Sequence, residues 1–345
     1  MPEVHCFTSI SFSYLDRARV LAATLKRQHP DWMLWLCLSD VEPPGMAFDR
    51  SREPFDRVVR IEDLCIPDRV RWTFGHQLVE LCTAVKGPML CRLLEEGAQK
   101  VVYLDPDIAV FGPLDEVVDL LGRHAIVLTP HQTHPESSRI GIMDNEIASL
   151  KHGVYNLGFF GLRNGDEGRR FAQWWRERLL GFCYDDIPGG LFTDQRWCDL
   201  VPAFFEPCIL RDPGYNVASW NLSTRPITFD RDGAIRAGGR PLRFFHFTKL
   251  NSVGEAMLER YANGRSEVFE LAEWYRRQLA AQSVAGLAPD YWGFALYQDG
   301  TPIRPDERVA YRNTPELQER FPDPFASGPD TFQAWCGANL SCGRA

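Results

Sequence analysis

The first sixty residues alternate between apolar runs of strand type and a stripe of helical type. Residues 4–8, 32–38 and 58–61 are short apolar runs rich in β-favouring side chains, whereas apolar residues recur at helical spacing over residues 15–25. A helix between two strands carries the chain back so that the strands pair in parallel. We therefore expect an α/β fold with a mixed, mostly parallel sheet and helices on both faces.

The composition bounds the class of protein and its partners. Hydrophobic residues make up 45% and charged residues 24% of the 345 positions, as in an ordinary globular chain. The formal net charge of −8 disfavours a dominant role in binding nucleic acid or an anionic membrane. Prolines and arginines accumulate after about position 289, so we expect a main domain over residues 1–285. Residues 286–345 would form a C-terminal extension that packs on this domain or on a partner.

Nothing in the sequence predicts export or membrane insertion. No apolar run approaches the length of a membrane span, and the first five residues lack the basic and apolar regions of a signal peptide. The ten cysteines include no C-x-x-C pair, and several lie in apolar runs, which predicts buried free thiols in a reducing compartment. We expect a cytoplasmic protein, either free or peripheral to the inner face of the membrane.

A buried strand predicted over residues 100–104 leads directly into Asp105, Pro106 and Asp107. The acids would lie at the carboxyl end of the strand, the edge where open α/β sheets bind ligands. Pro106 restricts its own φ and that of the residue before it, so the turn is stiff. Two carboxylates this close repel each other unless a cation lies between them, and a divalent metal is the usual cation. A polar turn that merely ends a strand is the other interpretation.

Two features before these acids bear on the ligand. No glycine-rich phosphate motif follows the first strand, where Thr8 and Ser9 stand, so a nicotinamide or flavin enzyme is not expected. Lys86 lies at a predicted break, residues 86–88, between two helices. It could bind an anionic ligand, or it could be a solvated cation at the end of a helix.

Three further features follow the acids. Asn156 and Gly158 lie in a predicted strand, and a glycine inside a strand marks a bulge or a close approach by a ligand. Asp194 and Gln195 open a helix, where an aspartate alone is typical of a cap. His246 lies in an aromatic strand, where a histidine alone is more often a core residue. Residues 131–151 are polar without clear period, which predicts a mobile loop over a site.

In this order and spacing the four motifs D-P-D, N-L-G, D-Q and F-H-F resemble those of the GT-A nucleotide-sugar glycosyltransferases, most closely the retaining enzymes of glycosyltransferase family 8. The resemblance covers roughly residues 1–260. It implies a hexosyltransferase that moves a sugar from a nucleotide-diphosphate donor, expected to be a UDP-sugar, with retention. The acceptor would be a hydroxyl of a glycan, a lipid-linked molecule or a protein.

The resemblance also implies roles for individual residues. Asp105 would help to hold a metal and touch the donor, and Asp107 and His246 would be direct metal ligands. Asn156 and Gly158 would line the pocket of the donor sugar. Because imidazole is a softer ligand than oxygen, this set suits Mn²⁺ better than Mg²⁺.

On the side of the sugar, the resemblance implies that Asp194 bonds sugar hydroxyls. Gln195 would lie beside the anomeric carbon, where its amide oxygen stabilises positive charge. Donor contacts are further expected from Thr8, Ser9, Lys86 and Lys249.

The sequence departs from the family at two places. Lys249 and Ser252 stand where the family usually has a glycine and a lysine. The first strand lacks the acid that often holds uracil, which puts the UDP preference in doubt.

Two alternatives concern the whole chain. Haloacid dehalogenase-like phosphatases also use D-x-D after a strand, but they expect Thr or Val where Ala109 stands, and their motif lies near the N-terminus. We therefore reject that class. A catalytically inactive sugar-nucleotide-binding module on the same fold stays open. For the acceptor, Tyr215 and Trp220 are candidates, although both could equally be core residues.

Overall fold

The computed structural model describes residues 3–340; Met1, Pro2 and residues 341–345, including Cys342, lie outside this range. A seven-stranded sheet forms its centre, with the strand order β10-β6-β7-β4-β1-β2-β3. These strands are β1 (Val4–Ile10), β2 (Met33–Leu38), β3 (Arg57–Arg60), β4 (Lys100–Leu104), β6 (Ile126–Pro130), β7 (Tyr155–Arg163) and β10 (Cys208–Ile209). Only β7 runs antiparallel to its neighbours, β4 and β6. The predicted mixed, mostly parallel sheet is confirmed.

Helices cover both faces of this sheet. On one face α3 (Leu78–Ala84), α4 (Lys86–Glu95) and α8 (Asp166–Phe182) contribute to one apolar core. On the other face α1 (Leu15–Gln28) and α5 (Asp115–Arg123) contribute to a second. The shorter or more distant helices are α2 (Arg69–Phe74), α6 (Arg139–Gly141), α7 (Ile147–His152), α9 (Gln195–Cys198), α10 (Val201–Phe204), α11 (Val253–Tyr261) and α12 (Glu267–Ala281).

Strand β4 shows why the sequence folds this way. Its side chains alternate between the two cores, Val101 and Tyr103 in one and Val102 and Leu104 in the other. A strand buried on both faces reads as a continuous apolar run, and this run ends where the sheet ends, at Asp105.

A second, three-stranded sheet lies at the carboxyl edge of the first and has the order β11-β15-β5. Its strands are β5 (Ile108–Val110), β11 (Val217–Ala218) and β15 (Phe244–His246). Antiparallel pairing places His246 opposite Ile108, the residue after Asp107. The remaining strands form a hairpin and a small antiparallel sheet: β8 (Asp185–Asp186), β9 (Leu191–Phe192), β12 (Ile227–Phe229), β13 (Ile235–Ala237) and β14 (Arg240–Pro241).

The end of the chain forms three helices: α13 (Pro305–Asn313), α14 (Pro315–Arg320) and α15 (Phe332–Asn339). Their apolar residues share a core with Phe74 of α2. Arg308 donates to the carbonyls of Phe74 and His76 at 2.9 and 3.0 Å. The Asp40 carboxylate, after β2, accepts from the N–H of Gly293 at 2.8 Å. Residues of the predicted extension therefore bond directly to the body of the fold.

Two local predictions are wrong. The predicted loop over residues 131–151 is wrong in its larger part: residues 131–138 form no helix or strand, but from Arg139 onwards α6, a π-helical turn (Ile142–Glu146) and α7 follow one another without interruption. The predicted break at residues 86–88 is also wrong, because Lys86 begins α4 and only Val85 separates it from α3. Pro88 is tolerated because the first N–H groups of a helix have no partner within it.

All nine cysteines within residues 3–340 are free, and five of them are buried. This agrees with the prediction of buried thiols.

Candidate functional site

The three predicted metal ligands come together. Asp105 and Asp107 follow β4, and His246 ends β15. One side-chain ligand atom from each residue lies within 4.8 Å of the other two. His246 Nε2 is 3.0 Å from Asp107 Oδ1 and 3.6 Å from Asp105 Oδ2. The Phe247 N–H donates to the Asp107 carbonyl at 2.9 Å, which fixes the two chain segments side by side.

The charges of this cluster depend on one another. Burial by itself raises the pKa of Asp107, but the His246 charge and hydrogen bond outweigh it, and the pKa lies below its usual value. Burial by itself lowers the pKa of His246, but Asp107 and then Asp105 outweigh it and raise the pKa. His246 and Asp107 therefore each favour the charged form of the other. Two carboxylates and an imidazole at this spacing fit a divalent cation.

Lys86 is buried beside this cluster and links two predicted site residues. Its Nζ lies 2.9 Å from Asp194 Oδ2 and 3.4 Å from Asp105 Oδ1, and it donates to the Leu157 carbonyl at 3.2 Å. Burial lowers the pKa of Lys86, but the charges of the two acids outweigh it and raise the pKa, so the amine stays cationic. The alternative of a solvated cation at a helix end is wrong.

Asp194 is also buried. It stands at the N-cap position of α9, yet its side chain accepts no bond from the backbone there. The interpretation as a helix cap is therefore wrong, because Lys86 at Oδ2 and the Thr193 hydroxyl at Oδ1 are the groups that hold this carboxylate.

Gly158 is needed because the His246 ring lies against it. A Cβ at position 158 would be 2.5 Å from His246 Cε1 and 2.7 Å from Nδ1. The Gly158 N–H donates to Asn156 Oδ1 at 2.8 Å, and the pairing of β7 with β6 shifts register here. The predicted irregularity of this strand is confirmed, and the group that approaches the glycine is the imidazole.

Gln195 lies against the loop that leads into β7. Its Oε1 accepts from the Leu157 N–H at 3.3 Å, and its Nε2 donates to the His152 carbonyl at 3.2 Å. Asn156, nearby, accepts at Oδ1 from Asn216 Nδ2 at 3.2 Å. The structure therefore places Gln195, Asp194 and Asn156 around one segment, at the side of the metal cluster.

Thr8, Ser9 and Lys249, the other residues expected to contact the donor, lie in different surroundings from one another. Thr8 and Ser9 are buried, and Ser9 Oγ donates to the Cys82 carbonyl at 2.6 Å. Lys249 has an exposed side chain and a φ of 49°, in the left-handed region that a glycine adopts easily. Within residues 3–340 it forms no ion pair with the acids of the cluster.

Sequence reasoning missed Tyr103, which donates from its hydroxyl to Asp105 Oδ1 at 2.5 Å. A signal was present, because residues two apart on a strand point to the same face. It also missed His131, whose Nε2 lies 3.1 Å from Asn156 Nδ2, and no local pattern of residues indicates this contact. Of the acceptor candidates, Tyr215 is buried against Phe244 and is a core residue. Trp220 packs edge-on against His246.

Within residues 3–340, no helix combines the length and the apolar character that crossing a bilayer requires.

No family model matches the chain. A curated relative, "Uncharacterized protein YfnD" of Bacillus subtilis (strain 168), is 22% identical over 262 residues, which are 74% of this chain and 80% of that protein. Among solved structures, the chain is similar to the crystal structure of the galactosyltransferase LgtC in complex with donor and acceptor sugar analogues. That match has a TM-score of 0.45 and 14% identity, and it covers 82% of this chain and 97% of that one.

Proposed function

We propose that the protein is a metal-dependent glycosyltransferase that moves a hexose from a nucleotide-diphosphate donor, expected to be a UDP-sugar, to a hydroxyl acceptor with retention. The observation that carries the proposal is the convergence of Asp105, Asp107 and His246 beside the buried pair of Lys86 and Asp194. The position of these residues at the carboxyl edge of one sheet, where α/β folds bind their ligands, supports the proposal.

Asp105, Asp107 and His246 would hold the metal, with Mn²⁺ favoured over Mg²⁺ because of the imidazole ligand. The bound metal would neutralise the charge that builds up on the leaving diphosphate. Pyrophosphate oxygens of the donor would supply the ligands beyond these three residues.

The residues beside the metal would hold the sugar. Burial raises the pKa of Asp194, and Lys86 opposes this rise and fixes the carboxylate by a hydrogen bond to Oδ2. The other oxygen, which accepts from Thr193 Oγ1 at 3.3 Å, would also accept a hydrogen bond from a sugar hydroxyl. Gln195 would turn its amide oxygen towards the anomeric carbon, where positive charge develops. An amide is a poor covalent nucleophile, so retention would proceed by displacement on one face rather than through the covalent intermediate of retaining glycosidases.

A second candidate is a sugar-nucleotide-binding module without turnover. The hydrogen bonds of Gln195 favour it, because both ends of its amide are engaged by the backbone at Leu157 and His152. For turnover, donor binding would have to release the amide oxygen from the Leu157 N–H.

Slow hydrolysis of the donor separates the two candidates. The protein is incubated with UDP-, GDP- and dTDP-hexoses and Mn²⁺, and the release of nucleoside diphosphate is measured. The enzyme should release it from one nucleotide class, and Asp107→Asn should not, whereas Asp290→Asn, an exposed aspartate outside the cluster, should match the wild type. Metal-dependent donor binding without release from any donor would favour the binding module.

A further inference from the structure

The helical segment over residues 139–152 has its apolar face on the outside. Ile140, Met143, Ile147 and Leu150 are 58%, 55%, 39% and 67% exposed. Their spacing of three and four residues places them on one side of a helix. A surface helix of a globular protein normally turns such a stripe towards the core, so this face needs an occupant.

The opposite face of this segment is held to the protein by polar contacts. Asn145 is buried and donates to Glu136 Oε1 at 2.6 Å, and Asp144 pairs with Arg260 of α11. Near its end, the Leu150 carbonyl accepts from Arg196 Nη1 at 2.8 Å. The orientation is therefore fixed by hydrogen bonds and ion pairs, and the apolar face is presented outwards.

The charges around the stripe identify the chemistry of the occupant. Arg139 and Lys151, one at each end, are exposed, and neither forms an ion pair with any residue that the structure describes. The acids of the segment are turned away or engaged: Asp144 is paired, and Glu146 Oε1 accepts from the Glu136 N–H at 2.6 Å. On a chain of net charge −8, two cations without an ion-pair partner among the described residues thus flank the apolar face, whereas the acids of the segment have partners within the fold.

We infer that residues 139–152 form an interfacial helix that docks the protein on an anionic phospholipid bilayer. Helices that lie in the membrane interface insert an apolar face into the lipid while Lys and Arg contact anionic headgroups. A second copy of the chain fits less well, since a stable interface uses about 20–30 residues on each side, whereas this face offers four apolar residues and two cations.

The docking helix lies next to the candidate site. The His152 carbonyl bonds to Gln195, so the docked helix would hold the site at the lipid surface. If the proposed function is right, a site held at the lipid surface favours an acceptor that is carried by a lipid.

Vesicle flotation tests the docking itself, without any enzymatic readout. The full chain is mixed with vesicles of phosphatidylglycerol and phosphatidylcholine, and the bound fraction is measured at several lipid concentrations. We expect Leu150→Glu to lower the partition coefficient about tenfold, because an inserted apolar side chain becomes charged. The matched control is Val79→Glu on α3, since Val79 is 67% exposed like Leu150 and lies on a separate helix.

A second pair of variants tests the charges. Arg139→Gln with Lys151→Gln should weaken binding to the anionic vesicles, whereas Arg50→Gln with Arg231→Gln, two exposed arginines elsewhere, should not.

Absence of wild-type flotation, or equal losses in Leu150→Glu and Val79→Glu, would overturn the inference. Self-association that Leu150→Glu abolishes, without flotation of the wild type, would assign the face to a second copy instead. If the wild-type protein floats with the vesicles but hydrolyses no donor, the proposed function is refuted and this inference still stands.

Discussion

Lys86 Nζ lies 2.9 Å from Asp194 Oδ2, and both residues are buried. The pair joins the start of α4 to the start of α9, 108 positions later in the chain. Each charge is tolerated in the interior because the other is present.

Removing one member of this pair should therefore destabilise the fold. We expect Lys86→Met to lower the free energy of unfolding by about 3–5 kcal/mol, because Asp194 is left buried without its partner. The double variant Lys86→Met, Asp194→Leu should cost less than the sum of the two single changes. Urea unfolding measures all three, with Lys100→Met as the control, since its partner Glu3 is largely exposed. Additive losses would contradict the coupling.

Tyr103 should act as a positioning residue for the metal. Its hydroxyl donates to Asp105 Oδ1, so Tyr103→Phe frees that carboxylate to rotate. We expect the Mn²⁺ dissociation constant to rise about tenfold while the melting temperature stays close to the wild type, because groups that orient metal ligands have effects of this size. Isothermal titration calorimetry checks this, with Tyr184→Phe as the control. Equal Mn²⁺ affinity in Tyr103→Phe and the wild type would refute the role.

Gly158→Ala should disturb the metal ligand directly. The added Cβ would overlap the His246 ring, so the imidazole must move and metal affinity should fall more than tenfold. Gly181 in α8 is the control, because nothing lies within 4 Å of a Cβ there and alanine is favoured in helices. Mn²⁺ binding unchanged by Gly158→Ala would mean that His246 is not a ligand.

His76 should make the free energy of unfolding depend on pH. It is buried, and burial is the main cause that lowers its pKa to about 4. The unfolded chain therefore binds a proton at a higher pH than the folded one, and the stability from this group is present above pH 6.5 and lost as the pH falls towards 4. The loss amounts to about 3 kcal/mol.

The measurement compares urea unfolding of the wild type and His76→Phe at pH 7.5 and pH 4.5. The stability of the wild type relative to the variant should fall at the lower pH. An exposed histidine serves as the control, and His134→Gln should leave the pH dependence as it is. A constant difference between wild type and His76→Phe would contradict the assignment.

Part of the fold could be predicted from the sequence because the residue patterns that indicate it are local. The strands of the central sheet are short apolar runs, and α8 carries a continuous amphipathic stripe, so their positions follow from periodicity. The cluster of Asp105, Asp107 and His246 was accessible only through the order of the motifs. The pairing of β15 with β5, which brings His246 to the acids, is a contact over more than 130 residues.

Other features were missed for different reasons. The helical spacing of Ile140, Met143, Ile147 and Leu150 was present in the sequence, but the polar residues between them concealed it. The burial of Lys86 depends on a carboxylate 108 positions away, and no local pattern reports such a partner. Lys249 takes the left-handed conformation of a glycine, which its residue type disfavours.

The central claim is that Asp105, Asp107 and His246 hold a divalent metal that binds a nucleotide-sugar diphosphate. A thermal-shift screen of UDP-, GDP- and dTDP-sugars, each with and without Mn²⁺, tests it most directly. We expect one nucleotide class to raise the melting temperature only when Mn²⁺ is present, and we expect Asp107→Asn to abolish this shift. An equal shift without metal, or an undiminished shift in Asp107→Asn, would contradict the metal site.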